Sequence, residues 1–238
     1  MRIFLFIALI AVPLLLPAAD SDFKELCQTG DKAFKSGKYK DSLELFRLAL
    51  DKSPNGWNDN RCISMIGHSL LNLKRYEEAL AWYNQISELP DINDNTRSRH
   101  YEMIGEVYFR QKKLQKAKEC FLQCLAQSDD TRARIIVQEK LARLYRRLGQ
   151  NNAAIRCYKD AAGPSDPYYS VAISARRQLA ELYLSRKQYQ QVLDLFKSVN
   201  CVKYSNKREK QQAEKLIRQA TTGKAAAKKA AEKKAATK

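Results

Sequence analysis

The chain has 238 residues, of which 45% are apolar and 29% charged, a soluble globular composition that excludes a chain disordered as a whole. Eight glycines, six prolines and few alternating β-branched runs point to an all-helical chain. The formal net charge of +17 speaks about partners, not about fold.

The first residues, MRIFLFIALIAVPLLLPAAD, place one Arg before an apolar run that ends in small residues at Ala18 and Ala19. This is the layout of a secretory signal peptide, residues 1–19, with cleavage expected after Ala19. Pro17 is a poor residue three places before that cut, which keeps an uncleaved amino-terminal anchor open as the alternative. Ile3 to Leu16 is short for a spanning helix. An exported, periplasmic protein is the expectation. No Cys directly follows the apolar run, so no lipid-attachment site is expected.

From residue 20 a pattern begins that repeats. Five aromatic residues, Phe46, Tyr83, Phe121, Tyr158 and Phe196, each follow by four places Ser42, Ala79, Ala117, Ala154 or Val192. Three places after each aromatic come Ala49, Ile86, Cys124, Ala161 and Val199. Each such helix is preceded by another with a small residue at one fixed place: Gly30, Gly67, Gly105, Ala142 and Ala180. Three places further stand Ala33, Leu70, Tyr108, Tyr145 and Tyr183. An isolated helix cannot bury its own apolar stripe, so recurrence at one spacing implies stacked helix pairs. Small residues are expected to set the distance between helices, and the aromatics to fill the space to the next repeat.

With these positions in place the chain resembles the tetratricopeptide repeat family, whose pattern runs W-x2-L-G-x2-Y, then A-x3-F, then P. MIGEVYFRQKKLQKAKECFLQCL and KLARLYRRLGQNNAAIRCYKDAA carry it best. The resemblance implies a right-handed all-α solenoid over residues 20–220, with five helix-turn-helix repeats near 23–56, 60–93, 98–131, 135–168 and 173–206. The small positions advance by 37, 38, 37 and 38 residues, against 34 in the family. The surplus is expected in the connecting loops SPNGWNDN, LPDINDNT, QSDDTRA and GPSDPYYS. Lengthened repeats behind an export signal are similar to envelope-associated repeat proteins of bacteria.

The last repeat is followed by a predicted amphipathic helix, 206–220, whose Ala213, Leu216, Ile217 and Ala220 would cap the stack. Residues 221–238 then form a Lys/Ala tail, including Lys224, Lys228, Lys229, Lys233 and Lys234, with no core residue to anchor it. The tail reads either as a solvated segment or as an attachment to an anionic envelope polymer or lipid headgroups. Nucleic acid is not an expected partner, because no aromatics interleave the lysines.

The six cysteines read as small buried hydrophobes. Cys27 and Cys62, at the start of successive repeats, are the one pair whose placement suggests a bond. No metal-ligand spacing and no cofactor motif occurs. The two histidines, His68 and His100, lack catalytic neighbours in sequence, so no enzyme is expected.

Charge divides along the chain: Asp20 to Thr96 holds 10 basic and 13 acidic residues, Arg97 to Gly223 holds 26 and 12. The family architecture implies that the first helix of each pair lines a concave groove. Lys24, Asp31, Lys35, Arg61, His68, Asn72, Arg99, Glu106, Arg110, Arg143, Arg147 and Arg177 fall on that side. Arg99, Arg110, Arg143, Arg147 and Arg177 would form a cationic lane for the carboxylates of an acidic or extended peptide. The family's clamp for chaperone tails is not reproduced, since Cys27 and Met65 stand where it would need polar side chains. A non-catalytic protein-interaction scaffold is the expected function, with polymer or membrane-surface binding through the basic half and tail as the alternative.

Overall fold

A computed structural model describes residues 17–54, 59–87, 92–163, 170–197 and 207–236, and every regular element among them is an α-helix. Residues 1–16 of the predicted leader, residues 1–19, and Val199 lie outside the described residues. The chain divides into two units, residues 1–90 and 91–238.

The first unit holds two helix pairs, α1 (Pro17–Lys35) with α2 (Tyr39–Asp51) and α3 (Asn60–Asn72) with α4 (Tyr76–Ser87). The second holds three, α5 (Asp94–Arg110) with α6 (Leu114–Gln127), α7 (Thr131–Arg147) with α8 (Asn151–Ala161), and α9 (Ser170–Ser185) with α10 (Tyr189–Lys197). It ends in α11 (Lys207–Ala236). The all-α helix-turn-helix fold expected from the repeat is the fold observed.

Within each pair the turn is the same device. Gly37, Lys74, Lys112, Gly149 and Lys187 all adopt positive φ, between 57° and 75°, and are spaced by the same alternation of 37 and 38 residues. The amide after each left-handed residue reaches back five residues: Lys38 to Ala33, Arg75 to Leu70, Lys113 to Tyr108, Gln150 to Tyr145 and Gln188 to Tyr183, all at 2.9 Å. These are Schellman closures, which satisfy the last carbonyls of the first helix and aim the chain into the second. Three of the five positions use Lys where Gly would be unstrained.

The small and aromatic positions pack, but differently from the sequence expectation. Ser42, Ala79, Ala117, Ala154 and Val192 are fully buried, as are the rings of Phe46, Tyr83, Phe121 and Tyr158. Three of these rings lie on the glycine of their own pair. A Cβ added to Gly30 would stand 2.8 Å from the Phe46 ring, at Gly67 2.3 Å from Tyr83, and at Gly105 2.6 Å from Phe121. The aromatic therefore sets the separation inside the pair, and the glycine is the space that it occupies.

The lengthened period also resolves differently. α5, α7 and α9 begin at Asp94, Thr131 and Ser170, three or four residues before the expected repeat starts at 98, 135 and 173. Part of the surplus thus lengthens first helices and not loops. Between α6 and α7 only Ser128, Asp129 and Asp130 remain unhelical. Asp130 caps α7 by accepting from the Arg132 amide at 2.9 Å, while Arg134 donates to the carbonyls of Leu125 and Ser128 at 2.6 and 2.9 Å. Those bonds close one helix and start the next within one short turn.

The last helix continues past the expected boundary at residue 220. Ala213, Leu216 and Ala220 are buried on the core of α8, α9 and α10, with Ile217 packed beside them. Contact extends to Gly223, where an added Cβ would lie 2.3 Å from the Tyr189 ring, and to Lys224, whose Nζ donates to Gln190 at 2.5 Å. Residues 225–235 are exposed helix.

Candidate partner-binding site

The five arginines of the expected lane all lie in the second unit, and the structure brings only two of them together. Arg143 and Arg147, one helical turn apart on α7, both reach the ring of Phe109 at the end of α5, their guanidinium carbons 5.5 and 4.0 Å from its centroid. Stacking covers one face of a guanidinium and leaves its N–H edge available for a planar anion. Phe109 is itself buried, so it is a fixed platform.

The same two arginines, with Arg146, Tyr158 and Gln178, line a cavity of about 320 Å³. The Tyr158 hydroxyl donates to the Gln178 carbonyl oxygen at 2.7 Å. The Gln178 amide donates to Glu139 at 2.6 Å and to the Ser174 hydroxyl at 3.3 Å. Burial lifts the Tyr158 phenol above its ordinary pKa, against the opposing hydrogen bond of Arg146. The chain Tyr158–Gln178–Glu139 ties α8, α9 and α7 into one wall.

Charge in this wall is unbalanced. Glu139 is buried and already accepts from Gln178, and its other oxygen lies 3.8 Å from Arg143, a loose ion pair. Among the described residues no carboxylate pairs with Arg146 or Arg147. Three guanidinium groups thus face one carboxylate, and the cavity carries a surplus of positive charge, with Arg146 and Arg147 exposed and Arg143 half-buried.

The remaining lane residues are placed elsewhere. Arg110 pairs with Glu106 at 3.0 Å, Arg177 with Glu181 at 3.0 Å, and Arg99 is exposed on α5; none lines the cavity. Glu106 belongs to a second cluster, in which Lys140 bonds Glu102 at 2.8 Å and Glu106 at 3.1 Å. Burial works against both charges there, yet Lys140 and Arg110 hold the Glu106 carboxyl below its usual range, and the two glutamates hold the Lys140 ammonium above its own. In the first unit Arg61 pairs with Asp31 at 2.7 Å, Lys24 and Lys35 are exposed, and Asn72 donates to the His68 carbonyl at 2.9 Å. His68 sits edge-on to the rings of Phe34 and Tyr83, 6.4 and 5.8 Å between centroids. His100 is 2% exposed, and burial, with Arg99 nearby, takes its pKa down to about 4.

The tail lysines, Lys224, Lys228, Lys229, Lys233 and Lys234, lie on the exposed part of α11. Sequence reasoning missed Phe109, Glu139, Arg146 and Gln178, and took Tyr158 as core alone. Arg146 was legible in the run YRR, but the glutamine and the platform are joined to it only by tertiary packing.

Comparison with known proteins agrees with this architecture. Residues 61–91 and 96–162 match tetratricopeptide repeat family profiles. The fold is similar to a thermophilic TPR protein of Thermus thermophilus, with TM-score 0.58, 19% identity, and coverage of 82% of this chain and 98% of that one. It is also similar to a set of nearly identical TPR-like repeats from Podosopora anserina, at TM-score 0.57, 14% identity, and 87% and 97% coverage. MamA from Desulfovibrio magneticus RS-1, from residue 41 to its end, gives TM-score 0.52, 16% identity, and 75% and 93% coverage. A comparison with curated protein sequences finds no significant match. At these identities the solved structures speak for the fold alone, while the two profile matches show tetratricopeptide repeats over residues 61–91 and 96–162, a kind of repeat that serves in general as a protein-interaction scaffold.

Proposed function

We propose that the chain is a non-catalytic scaffold that binds an acidic, extended peptide segment of a partner protein, and that the cavity lined by Arg143, Arg146 and Arg147 anchors it. The observation that carries this reading is the surplus of guanidinium groups, Arg143, Arg146 and Arg147, around one carboxylate already engaged by Gln178. A carboxylate side chain entering the cavity would take bidentate bonds from Arg147, which lies over the Phe109 ring, and from Arg146. Arg143 would exchange its loose contact with Glu139 for the ligand. Arg99, Arg110 and Arg177 would add long-range attraction, which raises the on-rate more than the affinity.

The leader pattern of residues 1–19 supports an exported, envelope-facing setting for this scaffold. Its test is the amino terminus of the mature protein, expected near Asp20. A chain recovered from cells with Arg2 intact would contradict export by cleavage.

A second reading rests on a different observation, the exposed helical lysines of residues 224–234. Such a segment attracts anionic polymer or lipid headgroups without any groove. A fluorescently labelled Asp/Glu-rich peptide carrying one Leu separates the two. Replacing Arg143, Arg146 and Arg147 together by Ala should weaken its binding at least tenfold, whereas deletion of residues 224–238 should change it by less than threefold. The reverse order would favour the polymer reading and end the scaffold proposal.

A further inference from the structure

In the first unit the two helix pairs meet at a pair of thiols. Cys27 on α1 and Cys62 on α3 are 1% and 0% exposed, both free, with their sulfur atoms 4.0 Å apart. Their neighbours hold them in register. Asp59 caps α3 by accepting from the Cys62 amide at 2.9 Å, and Ser53 bonds the other Asp59 oxygen at 3.0 Å, so the first turn of α3 is pinned. One residue before Cys62, Arg61 pairs with Asp31, which lies one turn after Cys27 on α1. A turn further on, the Phe34 ring meets His68. The sulfur contact is thus the first in a line of three contacts between α1 and α3.

We propose that Cys27 and Cys62 are a cross-linking site, forming a disulfide that staples the first helix pair to the second. A disulfide needs its sulfurs about 2.05 Å apart, so the existing contact must close by about 2 Å, which side-chain rotation can supply in part. The oxidant is a low-molecular-weight disulfide or a CxxC-type protein disulfide. The Cys27 thiolate attacks one sulfur of the oxidant and releases one thiol. The Cys62 thiolate then attacks the Cys27 sulfur of the mixed disulfide and releases the second. Two electrons and the two cysteine protons end on the two thiols of the reduced oxidant.

Burial holds both thiols above their ordinary pKa, and Asp59 adds to this at Cys62. Exchange therefore waits for a local opening that parts α1 from α3, and the closed pair resists alkylation as well as reduction. A bond across 35 residues of chain removes freedom from the denatured state. The other described cysteines offer no competing contact of this kind: Cys120 and Cys124 share one helix, and Cys157 packs on the core between α6 and α8.

The test uses the full reduced chain, equilibrated with mixtures of glutathione and glutathione disulfide, quenched with acid, alkylated after unfolding, and mapped by peptide mass. The expected result is one linked peptide joining Cys27 to Cys62, with Cys120, Cys124 and Cys157 alkylated. The melting transition of the first unit should rise by about 10 °C and fall back on adding dithiothreitol. Cys27→Ser should abolish that redox response, while Cys120→Ser should keep it. Recovery of Cys27 and Cys62 both alkylated, or each carrying glutathione, after prolonged incubation in mild urea would overturn the proposal.

Discussion

Removal of the Lys140 ammonium is the sharpest probe of the second unit's energetics. Lys140 and its partners Glu102 and Glu106 are 19%, 22% and 16% exposed at their side chains, so Lys140→Met would leave two carboxylates partly desolvated without their shared cation. Breaking a fully buried pair in this way costs about 3–5 kcal/mol. Two features reduce that here: water reaches about a fifth of each side chain, and Arg110 still bonds Glu106 at 3.0 Å. The expected loss at neutral pH is about 2–3 kcal/mol, equivalent to a fall of about 5–10 °C in melting temperature for a unit of this size.

The sign of the pH dependence separates charge from packing. Glu106 has a folded pKa below its ordinary value, so its contribution to wild-type stability is present above the ordinary carboxylate range and is lost as pH falls through the folded value. Lys140 has a raised pKa, so its contribution holds below the ordinary lysine value and is lost as pH rises through the folded one. In Lys140→Met the stranded carboxylates are relieved by protonation. The gap between wild type and variant, followed by circular-dichroism melting, should therefore narrow as pH is lowered from 7 toward about 4. A variant that melts within 1 °C of wild type at pH 7, or a gap that stays constant with pH, would refute a desolvated ion cluster.

Three further outcomes follow from the packing. Gly105→Leu would drive a side chain into the Phe121 ring, where even a Cβ would stand 2.6 Å away, and should cost about 2–3 kcal/mol in urea unfolding. Lys112→Gly, relieving a φ of 63°, should gain about 0.5–1 kcal/mol in the same assay, whereas Gly149→Ala, at φ 72° with open space around it, should lose about 1 kcal/mol through strain alone. Binding of the acidic peptide should weaken as ionic strength rises from about 0.05 to 0.5 M, because the guanidinium groups that would hold it are exposed to screening.

The fold was legible because its signal is local and repeated. Ser42, Phe46 and Ala49 in one helix, their counterparts in three others, and Val192 with Phe196 in the fifth declare the buried stripe of α2, α4, α6, α8 and α10 without any tertiary information. The turn was legible only in part. Gly37 and Gly149 advertise a left-handed residue, but Lys74, Lys112 and Lys187 adopt the same conformation against their own preference, held there by the closure bonds around them. Helix starts were the least legible, since Asp130 and Arg134 decide where α7 begins through bonds between two helices.

The site was harder for a related reason. An arginine on a first helix can be placed on a face by counting, yet its freedom depends on whether a carboxylate from α5 or α9 already holds it. Arg110 and Arg177 have such partners four residues away, in Glu106 and Glu181, and that spacing was readable in advance. The platform under Arg143 and Arg147 was not, because Phe109 lies on another helix 34 residues earlier in the chain than Arg143. What distinguishes the cavity from the rest of the basic surface is tertiary: Tyr158 in its lining, Phe109 against two of its arginines, and a glutamine that occupies the one nearby acid.

The most direct measurement of the central claim is a titration of the full chain, labelled at the arginine side chains with nitrogen-15, with the Asp/Glu-rich peptide, observing the Nε–Hε resonances. The account predicts saturable shifts at Arg143, Arg146 and Arg147 with one common dissociation constant, and little change at Arg134, whose guanidinium is bonded to the Leu125 and Ser128 carbonyls. Peptide binding that leaves those three resonances in place would contradict it.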